Sequence, residues 1–264
     1  MYKLGILGGG NMAQAIVNGI IKVGFIKPSE ILISDIDSTK LELYAKEGIS
    51  VTKDNRYLFA NCEYILFAVK PQIFKQMDSF HAYLQEESKL ISIMAGISIA
   101  SILKKAGRDI AVSRIMPNTP CMIGSGMSVL TYHRYDDISR RFVKSIFDAI
   151  GETAEMDERL FDAVTSISGS GPAYVYTFID AMVKGGMEGG LSLQESRKLA
   201  LATLKGAAEM VRINEDKPIG ELIDAVCSKG GTTIEAVNTF KENNLTEIII
   251  KGINACRKRS EELS

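Results

Sequence analysis

Residues 5–13 read GILGGGNMA: an apolar run stops at three consecutive glycines and a helical pattern begins at once. Gly8, Gly10 and Ala13 fall in the spacing G-x-G-x-x-A. Few folds satisfy that order of events. A strand must turn tightly into a helix: Gly8 permits the turn, Gly10 removes a side chain that would hold a ligand away, and Ala13 lets helix and strand pack closely. The open N–H groups of such a helix start favour an anion, and a dinucleotide pyrophosphate suits this spacing. In a turn that binds nothing, the glycines would serve geometry alone.

The rest of the chain extends the unit. Lys3 to Leu7, Ile31 to Ser34, Tyr64 to Val69, Leu90 to Met94, Ile110 to Met116 and Met127 to Tyr132 are strand candidates. Helical spacing lies between them, at Asn11 to Val23 and Leu41 to Lys46. Asp136 to Ile150 reads as a helix with Ile138, Phe142, Ile146 and Ile150 on one side, followed by a short strand at Gly151 to Glu155. Apolar strands alternating with helices predict a parallel sheet covered on both faces. Past Met156 no strand is expected. Helical stretches there are punctuated by SGSGP (168–172), paired glycines and KGG (229–231). Residues 1–156 therefore read as an α/β, Rossmann-like dinucleotide-binding domain and residues 157–264 as an all-α domain. Ala173 to Met187 and Leu199 to Val211 are apolar on most faces, the mark of buried helix. A unit this small buries little by itself, so these helices are expected to pack on one another, on the first domain and on a second copy of the chain.

Composition narrows the function classes. With 31 Lys and Arg against 32 Asp and Glu, the chain has no basic field for nucleic acid. No apolar run is long enough to span a membrane, and the chain enters a strand directly with no signal peptide expected. Four cysteines, far apart and without CxxC, fit reduced cytoplasmic thiols better than disulfides or zinc. With two histidines, no metal site is expected.

Several candidates fall where strands end. Asp35, after the second strand, can accept from a ribose 2′-OH and so leans toward NADH, or it can serve the turn DIDSTK, where Asp37 or Ser38 caps the next helix. Lys40 or Ser34 would still admit a 2′-phosphate. Lys70 in AVKPQ (68–72) and Asn118 in MPNTP (116–120) lie at the same edge as Ala95 and Gly96; each can meet a cofactor or stay with its own loop. A second glycine turn, SKGGTTIEAV (228–237), opens another helix whose first N–H groups suit a carboxylate, although a plain helix cap reads the same way. Ile234, Val237 and Phe240 are expected to face the core.

Taken in order, GILGGGNMA, AVKPQ, RIMPNTP (114–120), SGSGPAY (168–174) and SKGGTTIEAV resemble the pyrroline-5-carboxylate reductase family over essentially the whole chain. Lys229 departs from the proline that many members carry. The resemblance implies an α/β N-terminal domain followed by an all-α dimerisation domain, in dimers that commonly assemble as a pentamer of dimers. It implies hydride transfer from NADPH or NADH to the C=N bond of L-1-pyrroline-5-carboxylate, giving L-proline. The resemblance carries over Gly8, Gly10, Asn11, Met12, Asn55, Ala68, Lys70 and Pro71 as cofactor contacts, and Ser34, Asp35, Val69, Ala95, Gly96 and Asn118 join them as candidates from their places at the strand ends. The implied substrate contacts are Ser228, Gly230, Gly231, Thr232 and Thr233, with backbone N–H groups of Gly231, Thr232 and Thr233 on the carboxylate. Thr233 is implied as the catalytic residue, its hydroxyl on the ring nitrogen. Two alternatives stand beside it: a related reductase, either another cyclic imine reductase or a β-hydroxyacid dehydrogenase, the latter needing a helix lysine as acid, for which Lys184 is a candidate by type; and a non-catalytic NAD(P)-binding protein, which has little need of the SKGGTT turn.

Overall fold

The computed structural model describes residues 1–263. They divide into two compact units, one of residues 1–170 with the chain from Cys256, the other Gly171–Ala255. No helix among the described residues is long and apolar enough to cross a membrane.

The first unit is built on strands β1 (Tyr2–Leu7), β2 (Ile31–Ser34), β3 (Ser50–Thr52), β4 (Cys62–Phe67), β5 (Lys89–Ser92), β6 (Val112–Met116), β7 (Gly126–His133) and β8 (Gly151–Glu155). They form one sheet in the order β3-β2-β1-β4-β5-β6-β7-β8. Strands β1 to β6 run parallel, β7 is antiparallel to β6, and β8 is parallel to β7. Helices α1 (Asn11–Lys22), α2 (Ser38–Lys46), α3 (Asn55–Asn61), α4 (Pro71–Gln76), α5 (Ile99–Ala106) and α6 (Asp137–Asp148) connect them. Strand β3 has three residues, too few to show a period, and sequence pattern passes over it.

Alternate strand residues supply the two faces. Leu4, Ile6, Ile33, Leu66, Ile91 and Ile115 pack with Ile16, Val17 and Ile20 of α1 and Val143, Ile146 and Phe147 of α6. Leu7, Leu32, Ile65, Phe67, Leu90 and Val112 pack on the other side with Phe59 of α3, Phe74 of α4 and Ile102 of α5. Ile138, expected on the apolar side of α6, is instead 73% exposed; it lies in the first turn, before the helix settles on the sheet. Beyond β8, α7 (Phe161–Val164) runs into a π-helical turn, Thr165–Gly169. Buried Arg114 of β6 pairs with Glu158 at 3.0 Å and lies over the Phe161 ring.

The second unit is helical: α8 (Gly171–Glu188), α9 (Leu193–Ile213), α10 (Ile219–Val226), α11 (Thr232–Glu242) and the first turns of α12 (Leu245–Leu263). A Ser192–Glu195 capping box starts α9. Gly186 lets α8 approach Ser196 of α9. The stretches expected to be buried are open in the single chain: Tyr176, Phe178, Leu199, Leu201 and Val211 are all exposed. Ile234 and Val237 are half-buried, but Phe240 is exposed, contrary to expectation. So much apolar helix surface marks an interaction face.

Candidate active site

Strand order reverses between β1 and β4, and in open parallel sheets ligands bind at the carboxyl ends on either side of that point. The first glycine turn lies there. Gly8 has φ +99°, a conformation that L side chains rarely adopt, and a Cβ on it would stand 2.9 Å from the Ala68 carbonyl oxygen. Its N–H donates to Ser34 O at 2.8 Å, and Ala68 N–H donates to Leu7 O at 2.8 Å, so the turn is fastened to both neighbouring strands. Gly10 is the N-cap of α1, with no side-chain cap and no acidic residue in the first turn. The N–H groups of Gly10, Asn11 and Met12 have no partner among the described residues, and the space a Gly10 Cβ would occupy is open. This geometry fits a pyrophosphate.

The middle glycine, silent in the motif, is held on both sides. Its N–H donates to Asp35 Oδ2 at 2.7 Å, and the Tyr44 hydroxyl donates to its carbonyl at 3.3 Å. A Cβ on Gly9 would press on the Tyr44 ring. Burial, with the nearby Glu47 and Asp35 carboxylates, pushes the Tyr44 phenol up to about 12, so it acts as a neutral donor. Asp35 Oδ1 accepts from Asp37 N–H at 2.9 Å, and Asp37 caps α2 through Thr39 N–H. Of the roles open for DIDSTK, Asp35 takes the turn, and Asp37 rather than Ser38 caps the helix. Ile36 between them is 88% exposed, an apolar surface at the strand end.

Ser34 is buried, and its hydroxyl donates to Asn55 Oδ1 at 2.6 Å. That bond orients the Asn55 amide and leaves its NH2 group for a ligand or water, while Ser34 itself is withdrawn from ligand contact. Ala68 and Val69 follow β4, Lys70 is the exposed N-cap of α4, and Pro71 begins it. Ala95 is exposed after β5, and Gly96 is buried at φ +69° against the Leu263 backbone. The Asn118 amide is engaged at both ends. Oδ1 accepts from Met127 N–H at 2.9 Å and Nδ2 donates to Ser168 O at 3.2 Å, so Asn118 ties the β6 loop to β7 and to the π-turn.

The second glycine turn lies in the helical unit. Gly230 has φ +70°, and Gly231 is the N-cap of α11 with no side-chain cap. Gly231 N–H donates to Ser228 O at 3.0 Å, which corrects the expected donor set. That N–H closes the turn, so the open donors move on by one residue, to Thr232, Thr233 and Ile234, none of which has a partner among the described residues. The Ser228 hydroxyl sits where a Gly231 Cβ would go, so a side chain there would have to turn it aside and press on the Ser228 carbonyl. Thr232 and Thr233 are exposed. The rival acid Lys184 is paired with Asp180 at 2.6 Å, and that hydrogen bond raises its pKa, away from what proton delivery near neutrality needs.

Known proteins match this chain along its length. The family model for pyrroline-5-carboxylate reductase dimerisation covers residues 158–263, and that for NADP oxidoreductase, coenzyme F420-dependent, covers residues 3–96. The pyrroline-5-carboxylate reductase of Synechocystis is 37% identical over 265 residues, covering 99% of this chain and 98% of the relative. The structure of Plasmodium falciparum pyrroline carboxylate reductase with NADP bound superposes with TM-score 0.89 at 30% identity, over 99% of this chain and 98% of that one. The Coxiella burnetii pyrroline-5-carboxylate reductase does so with TM-score 0.89 at 31% identity, over 100% and 98%. The chain belongs to the pyrroline-5-carboxylate reductase family.

Proposed function

We propose that the chain reduces L-1-pyrroline-5-carboxylate to L-proline with NADPH or NADH, residues 1–156 serving the cofactor and 157–264 the substrate and dimerisation. The observation that carries this reading is the pair of helix starts, at Gly10 and Gly231, each left without a side-chain cap. Two open helix starts suit two anions, a pyrophosphate and a carboxylate.

When bound, the nicotinamide supplies the hydride. The protein's work is positioning. Gly10, Asn11 and Met12 N–H groups hold the pyrophosphate, Asn55 serves the adenosine side, and Ala68 to Pro71 with Ala95 and Gly96 line the crevice. Thr232, Thr233 and Ile234 N–H groups hold the substrate carboxylate, with Ser228 and Gly230 shaping the turn. The Thr233 hydroxyl hydrogen-bonds the ring nitrogen. A hydroxyl is a poor acid, so it orients an imine that has taken its proton from water. The exposed apolar helices support a homodimer in which a partner supplies the second turn, and assembly as a pentamer of dimers belongs to the same reading. Free cysteines fit a reducing cytoplasm.

The test is cofactor oxidation with pyrroline-5-carboxylate, run in parallel with NADPH and NADH. Turnover with either is expected. Clear cofactor binding without turnover would refute the substrate.

A further inference from the structure

Cofactor choice turns on the charges around Asp35. An acidic residue at the end of the second strand excludes a 2′-phosphate only when its charge faces the ribose uncompensated. Here the Asp35 side chain is 10% exposed. Each oxygen accepts a backbone N–H, from Gly9 at 2.7 Å and from Asp37 at 2.9 Å. Lys40 Nζ stands 3.7 Å from Oδ2 and offsets the charge further.

Lys40 is the less committed partner. It sits in the first turn of α2 and lines a cleft with Gly9, Asn11 and Tyr44, beside the glycine turn. Its side chain is 44% exposed, and its ion pairs with Asp35 and Asp37, at 3.7 and 4.0 Å, are both longer than hydrogen bonds. An ammonium with three donors and no close acceptor is available to a stronger anion. A phosphate dianion at the ribose 2′ position is one, because the carboxylates already accept backbone protons. Lys53 reaches the same turn, donating to Ser38 Oγ at 2.5 Å, and adds positive charge without contacting either aspartate.

We propose that Asp35 is a positioning residue that fixes the glycine turn, and that Lys40, held beside it, selects the 2′-phosphorylated cofactor. The proposal rests on the reading of this crevice as a dinucleotide site. Lys40 swings from the aspartates onto the phosphate, and Asp35 stays on Gly9 throughout.

The experiment is titration of the full chain with NADPH and with NADH, following cofactor fluorescence, for wild type, Lys40→Gln, Asp35→Ala and Asp35→Asn. Wild type is expected to bind NADPH more tightly. Lys40→Gln should lower the NADPH-to-NADH preference by about tenfold, the loss of one charge-assisted hydrogen bond. Asp35→Ala should weaken NADH, and Asp35→Asn, which keeps an acceptor for Gly9, should recover it. A preference unchanged in Lys40→Gln overturns the role of Lys40. An Asp35→Asn variant that loses NADH as fully as Asp35→Ala while gaining NADPH overturns the role of Asp35 and restores it as a ribose discriminator. A wild-type chain that binds neither cofactor refutes the dinucleotide site itself, and the proposal with it.

Discussion

Glu158→Ala should be among the most destabilising single changes available in the first unit. Glu158 Oε1 accepts from Arg114 Nη1 at 3.0 Å and from Ile99 N–H, the first residue of α5, at 2.8 Å. One carboxylate thus joins β6, α5 and the approach to α7. Its removal leaves a guanidinium whose side chain is 7% exposed, with only the Phe161 ring beside it. Breaking a buried pair costs about 3–5 kcal/mol. Glu158 is 32% exposed, so water reaches the gap and the lower end, about 3 kcal/mol, applies. The orphaned Ile99 N–H adds about 1 kcal/mol. In a chain of this size about 4 kcal/mol lowers Tm by roughly 8–16 °C. Glu158→Gln keeps a neutral acceptor and should lose about half as much. Urea unfolding at fixed protein concentration, in a double-mutant cycle with Arg114→Met, isolates the pair, because the second change removes the charge that the first leaves stranded. A coupling of about 1.5 kcal/mol or more is expected, and strict additivity within about 0.5 kcal/mol would refute the reasoning.

Other changes read the site directly. Gly8→Ala forces a side chain into φ +99° against the Ala68 carbonyl, so strain of about 1–3 kcal/mol should accompany loss of cofactor binding in a titration. Thr233→Ala should lower kcat/KM by roughly ten- to a hundredfold, the value of one hydrogen bond made in the transition state, and unchanged kinetics would dismiss that role. Tyr44 holds its proton to about 12 in the folded chain against 10.0 unfolded, mainly through burial. Its contribution is complete below pH 10 and is lost as pH rises through about 12, so Tyr44→Phe should flatten that part of the alkaline decline in urea stability. Phe178→Glu places a charge on the exposed apolar face of α8 and should shift the chain toward monomer in size-exclusion chromatography with light scattering.

Much of the fold is legible from period and punctuation. Both faces of β1, β2 and β4 are apolar, which is why their runs look continuous, and the glycines mark where the sheet hands over to α1. Short elements escape: β3 and α4 are held by tertiary contacts that leave no local repeat. Within the site, the sequence shows which residues stand near the crevice but not where their hydrogen bonds go. Nothing in the order of residues announces that Ser34 gives its hydroxyl to Asn55, that Asn118 ties three segments together, or that Tyr44 donates to Gly9. These contacts span 9 to 50 positions and are set by packing. The middle glycine of GGG, Gly9, is the one available hint, since G-x-G-x-x-A requires only Gly8 and Gly10.

The two helix starts also differ in what holds them, and the difference suits the tasks proposed for them. Gly9 in the first turn is clamped by an aspartate and a buried tyrosine, both anchored on β2 and α2, so its donors are arranged before any ligand arrives. In the second, a single backbone bond from Gly231 to Ser228 closes the turn and exposed side chains surround it. A pyrophosphate is the same in every catalytic cycle, and a rigid cradle binds it without an ordering cost. A substrate that must leave as a product with a new tetrahedral carbon gains from a turn with fewer restraints. Stiffening the second turn, with Lys229→Pro, would therefore be expected to tighten substrate and product together and to act on KM and product release more than on the hydride step.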